Sequence, residues 1–257
     1  MEVVSEIILV VCLGMILGSF TTALAHRVPR GISWGAKRSF CPSCGTVLGV
    51  FDLFPLVSWC LNKGKCRYCK TRVSAFYPLV ELACMGLCLG VYSFYGLSVS
   101  GVFIYAAVPF LLALFLIDVK HMILPNQLII VLFFLGALRL LYFWIDSDFS
   151  NAVGFDILIN NVLASLVFTF LSWGTGAFMS RLLKKESLGF GDVKFFGMAG
   201  LWLGLEVLPL FMIISGCVAV GLAFVWHCTK KSNVFPFGPA LIAAFFILLF
   251  YQGIILT

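Results

Sequence analysis

Residues 100–118 read SGVFIYAAVPFLLALFLID: a run without charged side chains over 100–117, followed at once by Asp118. A helix needs about 20 apolar residues to cross roughly 30 Å of bilayer hydrocarbon, so this run predicts a membrane span with an acid at one end. Between Lys194 and Lys230 a longer stretch has room for two short crossings on either side of Glu206, or alternatively for a re-entrant pair of half-spans. Further apolar runs cover residues 3–25, 77–95, 128–145, 157–179 and 240–256. The sequence therefore predicts an all-α, polytopic membrane protein, a bundle of about eight transmembrane helices.

Composition supports this class, because 62% of the residues are hydrophobic and only 11% are charged. An average soluble domain has about 25% charged residues. The first apolar run follows Glu2 and Glu6 and precedes Arg27, the reverse of the basic start of a signal peptide. We therefore expect it to remain in the membrane as the first span.

The basic residues predict the orientation. With the N-terminus outside, eight alternating spans leave four inside segments, and these contain 16 of the 17 Lys and Arg residues, Arg139 being the exception. Lys and Arg concentrate in cytoplasmic loops of membrane proteins. The net charge of +6 then indicates contact with anionic lipid headgroups, and no aromatic-basic motif accompanies it that would indicate nucleic acid. The inside segments are residues 26–76, 118–127, 180–194 and 228–239.

Four cysteines stand in the first inside segment as two C-x-x-C pairs, Cys41 with Cys44 and Cys66 with Cys69. Two such pairs supply the four thiolates of a structural zinc site, which has no open position for water. Two disulfides are the alternative, but cytoplasmic thiols are kept reduced. We therefore predict three parts: a first span at 1–25, a cytoplasmic zinc-binding four-cysteine loop at 26–76, and a transmembrane bundle at 77–257.

Two aspartates lie where apolar runs meet the cytoplasmic face. Asp118 ends the third span, and Asp192 follows Gly189 and Gly191 in a G-x-G-D sequence just before the sixth. Ionisable groups beside membrane spans are costly, and by default they indicate function. Two aspartates that share a proton can hydrolyse a peptide bond, one as the base for a water and the other as an acid. The alternative for each is a charge at a helix end, balanced by a nearby lysine.

Other protease chemistries fit less well. The sequence has neither the H-E-x-x-H of a catalytic metal site nor the G-x-S-x-G of a nucleophilic serine. The pair of aspartates is therefore the favoured candidate for catalysis.

In this order of motifs the chain resembles the type 4 prepilin peptidase family over nearly its whole length. Besides the cysteines and the two aspartates, the motifs that resemble the family are Gly18-Ser19-Phe20, His26-Arg27-Val28-Pro29, Pro55-Leu56-Val57-Ser58-Trp59, Tyr77-Pro78-Leu79-Val80-Glu81, Leu124-Pro125 and Pro236-Phe237-Gly238-Pro239. The chain departs from the family pattern at Thr21-Thr22, Phe76 and Asn126.

The resemblance implies a bacterial inner-membrane enzyme whose catalytic pair is Asp118 and Asp192, supported by Gly189, Gly191 and Lys194. Its substrates would be prepilins or pseudopilins of type IV pilus and type II secretion systems. The enzyme would cut the basic leader after a glycine at the cytoplasmic face. It would then methylate the new N-terminal residue with S-adenosylmethionine as the methyl donor.

The methyl-donor site has no conventional signature, since no G-x-G-x-x-G follows a predicted strand. The junction of the four-cysteine loop with the second span, including Glu81, is the candidate. An ion pair of Glu81 with Arg67 or Arg72 is the alternative.

Three other functions remain open at this point. One is an enzyme that only cleaves. Another is a proton-coupled secondary transporter that uses Asp118, Asp192 and Glu206, although the sequence shows no internal repeat. The third is an assembly protein that docks partners through the zinc loop.

Overall fold

A computed structural model describes residues 2–35, 38–146, 152–184, 188–230 and 235–256. These residues contain nine α-helices: α1 (Glu2–Arg27), α2 (Val57–Leu61), α3 (Phe76–Tyr95), α4 (Val99–His121), α5 (Asn126–Asp146), α6 (Ala152–Leu183), α7 (Phe190–Leu203), α8 (Leu208–Lys230) and α9 (Gly238–Leu256). Extended pairing in the described residues is limited to two isolated bridges, Phe40 with Val47 and Lys65 with Arg72.

The prediction of an all-α, polytopic membrane protein is confirmed. Eight of the nine helices are apolar and correspond to the eight runs of the sequence, and α2 is a five-residue turn of helix in the cysteine loop. Six helices are long and apolar enough to cross a membrane, namely α1, α3, α4, α5, α6 and α8. The protein is therefore a multi-pass membrane protein.

The stretch between Lys194 and Lys230 forms two helices of unequal length. Glu206 lies in the turn between α7 and α8, as the sequence predicts, but α7 has only 14 residues. At 1.5 Å per residue α7 is about 21 Å long, too short to cross the hydrocarbon alone. Its residues from Val193 to Leu203 are buried with the exception of Lys194, so neighbouring helices surround most of it.

The chain separates into two compact units, Met1–Ala113 and Leu114–Thr257, with the boundary inside α4. In the first unit α1 and α3 pack closely because glycines remove the side chains between them. A Cβ at Gly14 would lie 2.7 Å from Met85 Cα, and one at Gly18 would lie 2.6 Å from Glu81 Cα. This is a G-x-x-x-G contact, a common way for membrane helices to approach each other.

The division of the chain into a first span at 1–25, a four-cysteine loop at 26–76 and a transmembrane bundle at 77–257 remains a prediction.

In the second unit α7 packs closely against α6. A Cβ at Gly200 would lie 2.7 Å from the Ala164 carbonyl carbon, so the two backbones come into contact there. Side chains of α7 contact α9 through aromatic rings. The centres of the Phe195 and Phe245 rings are 6.0 Å apart, and the ring planes are at 76° to each other. The buried core of this unit is thus built around the helix that carries Asp192.

Candidate functional site

Asp118 lies in the last turn of α4, because that helix continues to His121 instead of ending at residue 117. Its side chain is buried, and Oδ2 accepts a hydrogen bond from the backbone nitrogen of Gly238 at 2.9 Å. Gly238 is the first residue of α9. The positive end of a helix dipole favours a negative charge there. The fold thus places one carboxylate at the N-terminus of α9.

Asp192 occupies the corresponding place on α7. The apolar run predicts a start at Lys194, but the helix begins four residues earlier, at Phe190. Its N-cap is Gly189, so Asp192 is the third residue after the N-cap. At this position an acidic side chain can reach back to the backbone of the N-cap residue. Asp192 is therefore part of the first turn of α7, and a second carboxylate lies at a helix N-terminus.

The pKa of Asp192 is raised to about 7. Burial is the largest cause, the negative charge of Asp118 is the second, and a hydrogen bond from the Gly189 backbone acts in the opposite direction. Since Asp118 contributes to this shift, the two carboxylates are within electrostatic reach of each other. An aspartate with this pKa still carries its proton in a large fraction of molecules at neutral pH.

Leu124 lies beside both carboxylates. A Cβ at Gly191, next to Asp192, would lie 3.0 Å from Leu124 Cβ. Gly238 is the glycine whose nitrogen is hydrogen-bonded to Asp118, and a Cβ there would lie 3.1 Å from Leu124 Cδ2. Leu124 thus packs against the glycine next to Asp192 and against the glycine that is hydrogen-bonded to Asp118.

The supporting residues of the G-x-G-D sequence have distinct contacts. Gly189 faces its own helix, since a Cβ there would lie 3.1 Å from Asp192 Oδ2. Lys194 donates a hydrogen bond from Nζ to Asn126 Oδ1 at 2.9 Å, and the same ammonium lies 4.7 Å from the centre of the Phe190 ring. Lys194 is therefore held by α5 and by the ring of Phe190.

The four cysteines of the loop come together. Their sulfurs all lie within 4.8 Å of one another, and Cys41 Sγ is 3.9 Å from Cys69 Sγ. A tetrahedral zinc with bonds of about 2.3 Å requires sulfur separations of about 3.8 Å. The donor set and its spacing therefore fit zinc, with Cys41 and Cys66 buried and Cys44 and Cys69 exposed.

The two C-x-x-C turns have the same backbone geometry. In the first, the Cys41 nitrogen donates to Thr46 and the Gly45 nitrogen donates back to Cys41. In the second, Cys66, Thr71 and Lys70 repeat these two bonds. Both turns have the sequence C-x-x-C-x-T, at residues 41–46 and 66–71. This repeat is a sequence signal of paired metal-binding turns, and it was not among the motifs identified from the sequence.

The threonine of each repeat contacts a sulfur. Thr46 Oγ1 lies 3.3 Å from Cys44 Sγ, and Thr71 Oγ1 lies 3.3 Å from Cys69 Sγ. The side chain of Thr71 is the largest cause that lowers the pKa of Cys69, to about 6. A thiol with this pKa is mostly thiolate at neutral pH, the form that binds metal.

Glu81 is buried at the start of α3, and its Oε2 accepts a hydrogen bond from the Leu56 nitrogen at 2.8 Å. Leu56 has a positive φ of 59°, which is strained for a branched side chain. The ion pair of Glu81 with Arg67 is not formed, since Arg67 lies 3.9 Å from Asp52 instead. Within the described residues Arg72 makes no ion pair with Glu81 either. The carboxylate thus holds the turn that leads into α2.

A cavity of about 480 Å³ opens between α1, the cysteine loop and the start of α3. Its lining includes Glu81, Asp52 and Trp59 as well as Cys41 and Cys66. Four basic residues also line it: Arg27, Lys65, Arg67 and Arg72. All of these residues belong to the first unit, which therefore combines a metal-type cysteine cluster with a cavity that has an aromatic wall and charged groups of both signs.

One site residue was not predicted from the sequence. Gly238 donates the backbone hydrogen bond to Asp118, although the two residues are 120 positions apart. Its signal was the Gly-Pro sequence of Gly238-Pro239, which is typical of the first positions of a helix.

Fold and site together define a class, a multi-pass helical membrane protein with two carboxylates at helix N-termini and within electrostatic reach of each other. Comparison with protein families is consistent with this class. Residues 12–95 match the Bacterial Peptidase A24 N-terminal domain, and residues 104–225 match the Type IV leader peptidase family.

Several curated proteins are similar over nearly the full chain. A prepilin leader peptidase/N-methyltransferase of Stutzerimonas stutzeri is 31% identical, with 90% of this chain and 86% of the relative covered. Proteins of the same name from Vibrio cholerae and Bacillus subtilis are 30% and 32% identical. They cover 95% and 93% of this chain and are themselves covered to 96% and 92%. No solved structure matches significantly. The chain belongs to the type IV prepilin leader peptidase family.

Proposed function

We propose that this protein removes the leader peptide of prepilins or pseudopilins and methylates the N-terminal residue thus exposed. The observation that carries the proposal is the pair of carboxylates, Asp118 and Asp192, each at the N-terminus of a buried helix beside Leu124. Membership of the family supports both activities. The protein is a membrane endopeptidase with N-methyltransferase activity.

Cleavage needs one carboxylate in each protonation state. Asp192 holds the proton, because burial and the charge of Asp118 raise its pKa to about 7. Asp118 is the base, because the backbone N–H of Gly238 stabilises its ionised form. The base takes a proton from a water as that water attacks the scissile carbonyl carbon, while Asp192 donates to the carbonyl oxygen. Proton transfer to the leaving amine then completes hydrolysis.

The supporting residues shape this centre. The absence of a side chain at Gly189 leaves room for the Asp192 carboxylate, and its absence at Gly191 lets Leu124 pack against the backbone next to Asp192. Lys194 is held by Asn126 and by the ring of Phe190, and so fixes the first turn of α7 against α5.

In this proposal the site lies at the cytoplasmic face, and the N-terminus of the chain lies outside. The distribution of Lys and Arg, 16 of 17 in the expected inside segments, supports this orientation. A substrate with a basic leader and an apolar helix would present its cleavage point at the same depth. Phospholipids around the apolar helices and basic loops complete the surroundings, and no nucleic acid is involved.

Cys41, Cys44, Cys66 and Cys69 would hold a structural zinc ion. The ion would tie together two distant parts of a polar loop, and its closed coordination leaves chemistry to other residues. The sulfur spacing and the matching backbone turns support this assignment.

The cavity beside the cysteine cluster is the candidate site for S-adenosylmethionine. Its volume of about 480 Å³ is within the range of about 300–1,000 Å³ that is common for small-molecule sites. When bound, this cofactor supplies an electrophilic methyl group for the freed amine. The wall carries charges of both signs: Glu81 and Asp52 suit the cationic sulfonium, and the basic residues Arg27, Lys65, Arg67 and Arg72 suit the carboxylate of the same cofactor. Trp59 offers an aromatic face.

The test is reconstitution of the full chain in lipid with a purified prepilin, with and without S-adenosylmethionine. Wild type is expected to remove the leader in both cases and to methylate only when the donor is present. Asp118→Asn and Asp192→Asn keep the shape but remove the acid, and both are expected to abolish cleavage. Asp156→Asn changes an exposed acid of α6 and serves as the matched control.

Cleavage by both active-site variants at the wild-type rate would refute the catalytic pair. Proton-coupled solute uptake by vesicles that contain the protein would favour the transporter instead. Leader removal without methyl incorporation would leave a cleavage-only enzyme.

A further inference from the structure

Each of the last four backbone carbonyls of α7 accepts a hydrogen bond. In an isolated helix these groups lack partners, and in an apolar environment each one is costly. The Gly200 oxygen accepts from the Gly204 nitrogen at 3.0 Å. The other three carbonyls accept from side chains of three different helices: Leu201 from Asn161 Nδ2 of α6 at 2.9 Å, Trp202 from Arg139 Nη1 of α5 at 3.1 Å, and Leu203 from Gln252 Nε2 of α9 at 2.7 Å.

These three bonds hold the helix from several sides. Successive residues of an α-helix are rotated by about 100°, so three consecutive carbonyls cover more than half of the helix rim. A rotation of α7 or a shift along its axis would therefore break all three bonds together. Arg139 also brings a positive charge to the negative end of the helix dipole.

Side-chain packing at the same end of α7 further restricts the position of this helix. Trp202 donates from Nε1 to the Leu132 carbonyl at 3.0 Å, and its ring lies where a side chain at residue 136 would be. A Cβ at Gly136 would approach Trp202 Nε1 to 2.5 Å. The Arg139 guanidinium lies 5.6 Å from the centre of the Trp202 ring. The end of α7 thus fits α5 in one register only.

Asp192 is in the first turn of the same short helix. From Asp192 to Leu203 the helix rises about 16 Å, and over this length an enclosed helix moves as a rigid rod. At the N-terminal end the capping side chain is that of Asp192 itself, which accepts a hydrogen bond from the Gly189 backbone. Within the described residues, the side chains from other helices that cap α7 lie at the end away from Asp192. A displacement at the capped end is therefore transmitted to the carboxylate.

We propose that Asn161, Arg139 and Gln252 are positioning residues for the peptidase reaction: by capping α7 they fix Asp192 in place against Asp118. The inference rests on the proposed peptidase function. It predicts that loss of one cap lowers the rate of the chemical step and leaves substrate binding nearly unchanged.

The experiment uses the full chain in lipid with a prepilin and, separately, a leader-free pilin for methylation. Asn161→Leu and Gln252→Met remove a donor and keep an apolar side chain of similar size. Arg139→Met removes the guanidinium, whereas Arg139→Lys keeps a charged donor. Arg181→Met is the matched control for Arg139→Met, since Arg181 is an exposed arginine in the last turn of α6 and is none of the residues that bond these carbonyls.

Each donor-free variant is expected to lower kcat for leader removal about tenfold or more, with KM changed less than about twofold, because small misplacements of catalytic groups cost rate. Arg139→Lys should keep more activity than Arg139→Met. Methylation of the leader-free pilin should stay at the wild-type rate, because its proposed site is in the first unit. Gln252→Met remains a test of the proposal where Asn161→Leu does not accumulate, since Gln252 is close to the end of α9.

Wild-type kcat in the donor-free variants would overturn the inference. An equal fall in cleavage and methylation would do the same, because it would show a general loss of folded protein, and so would an equal fall in Arg181→Met. A wild-type protein that does not remove leaders would instead contradict the proposed function, and the two failures are thereby distinguished.

Discussion

Asp118 Oδ2 lies 2.9 Å from the backbone nitrogen of Gly238, so the carboxylate at the end of α4 meets the first residue of α9 directly. A side chain at residue 238 is incompatible with this contact, because its Cβ would lie 2.6 Å from the same oxygen. Glycine is thus required at this position by the close approach of the acid.

Gly238→Ala is accordingly expected to displace Asp118 and to lower kcat for leader removal by about 100-fold, the scale of effect of a 1 Å misplacement. Methylation of a leader-free pilin should be unchanged. Both rates are measured on the purified protein in lipid. Gly216→Ala on α8 is the control, since a Cβ there meets nothing within 4 Å. Full cleavage by Gly238→Ala would show that the Asp118 contact is dispensable.

The pH dependence of cleavage should follow the proton on Asp192. The pKa of this residue is raised to about 7 by burial and by the charge of Asp118. Below that pH the acid is protonated and can donate to the substrate carbonyl; above it the proton is lost. The value of kcat/KM is therefore expected to fall about tenfold for each pH unit above about 7. Stopped assays with prepilin across neutral and alkaline pH measure it, and a rate that stays constant through this range would contradict the assignment of the acid.

Much of the fold follows from the sequence because a bilayer imposes simple rules on length and polarity. Runs such as 100–118 could be assigned to helices, and Glu206 could be assigned to a turn, from apolar length and charge alone. The start of α7 was less predictable. Lys194 bounds the apolar run, whereas the capping position of Asp192 sets the actual start at Phe190.

The contacts of the site were predictable only in part. C-x-x-C spacing is local, and it correctly brought Cys41, Cys44, Cys66 and Cys69 together. The partner of Asp118 depends on how α9 packs against α4, and no local pattern specifies that packing. Glu81 shows the same limit, since its partner is the backbone of a strained turn at Leu56 instead of an arginine.

Removal of one cysteine tests the metal site. Wild type purified without chelator is expected to contain about one zinc per chain, and Cys44→Ser is expected to lose most of it, because a structural site needs all four thiolates. Elemental mass spectrometry measures the metal. Cys60→Ser is the control, since Cys60 is an exposed cysteine outside the cluster. Methylation should fall with the metal, as the cluster forms part of the cavity wall. Equal zinc in Cys44→Ser and wild type would refute the site.

Glu81 offers the sharpest separation of the two activities. Glu81→Gln keeps an oxygen that can accept the Leu56 hydrogen bond but removes the negative charge from the cavity wall. If that charge faces the sulfonium, methylation should fall about tenfold or more, while leader removal changes less than about twofold. Glu81→Leu removes the acceptor as well and leaves the Leu56 N–H without it, which should cost a further 1–3 kcal/mol or so of unfolding free energy.

Methyl incorporation into a leader-free pilin, leader removal from a prepilin, and thermal unfolding are measured on the same preparations of both Glu81 variants. Glu206→Gln, which changes an exposed acid in the turn between α7 and α8, is the control for loss of a carboxylate as such. Full methylation by Glu81→Gln would show that the carboxylate acts only through the Leu56 turn. Loss of methylation in Glu81→Gln, with unfolding unchanged, would instead place its charge at the methyl-transfer site.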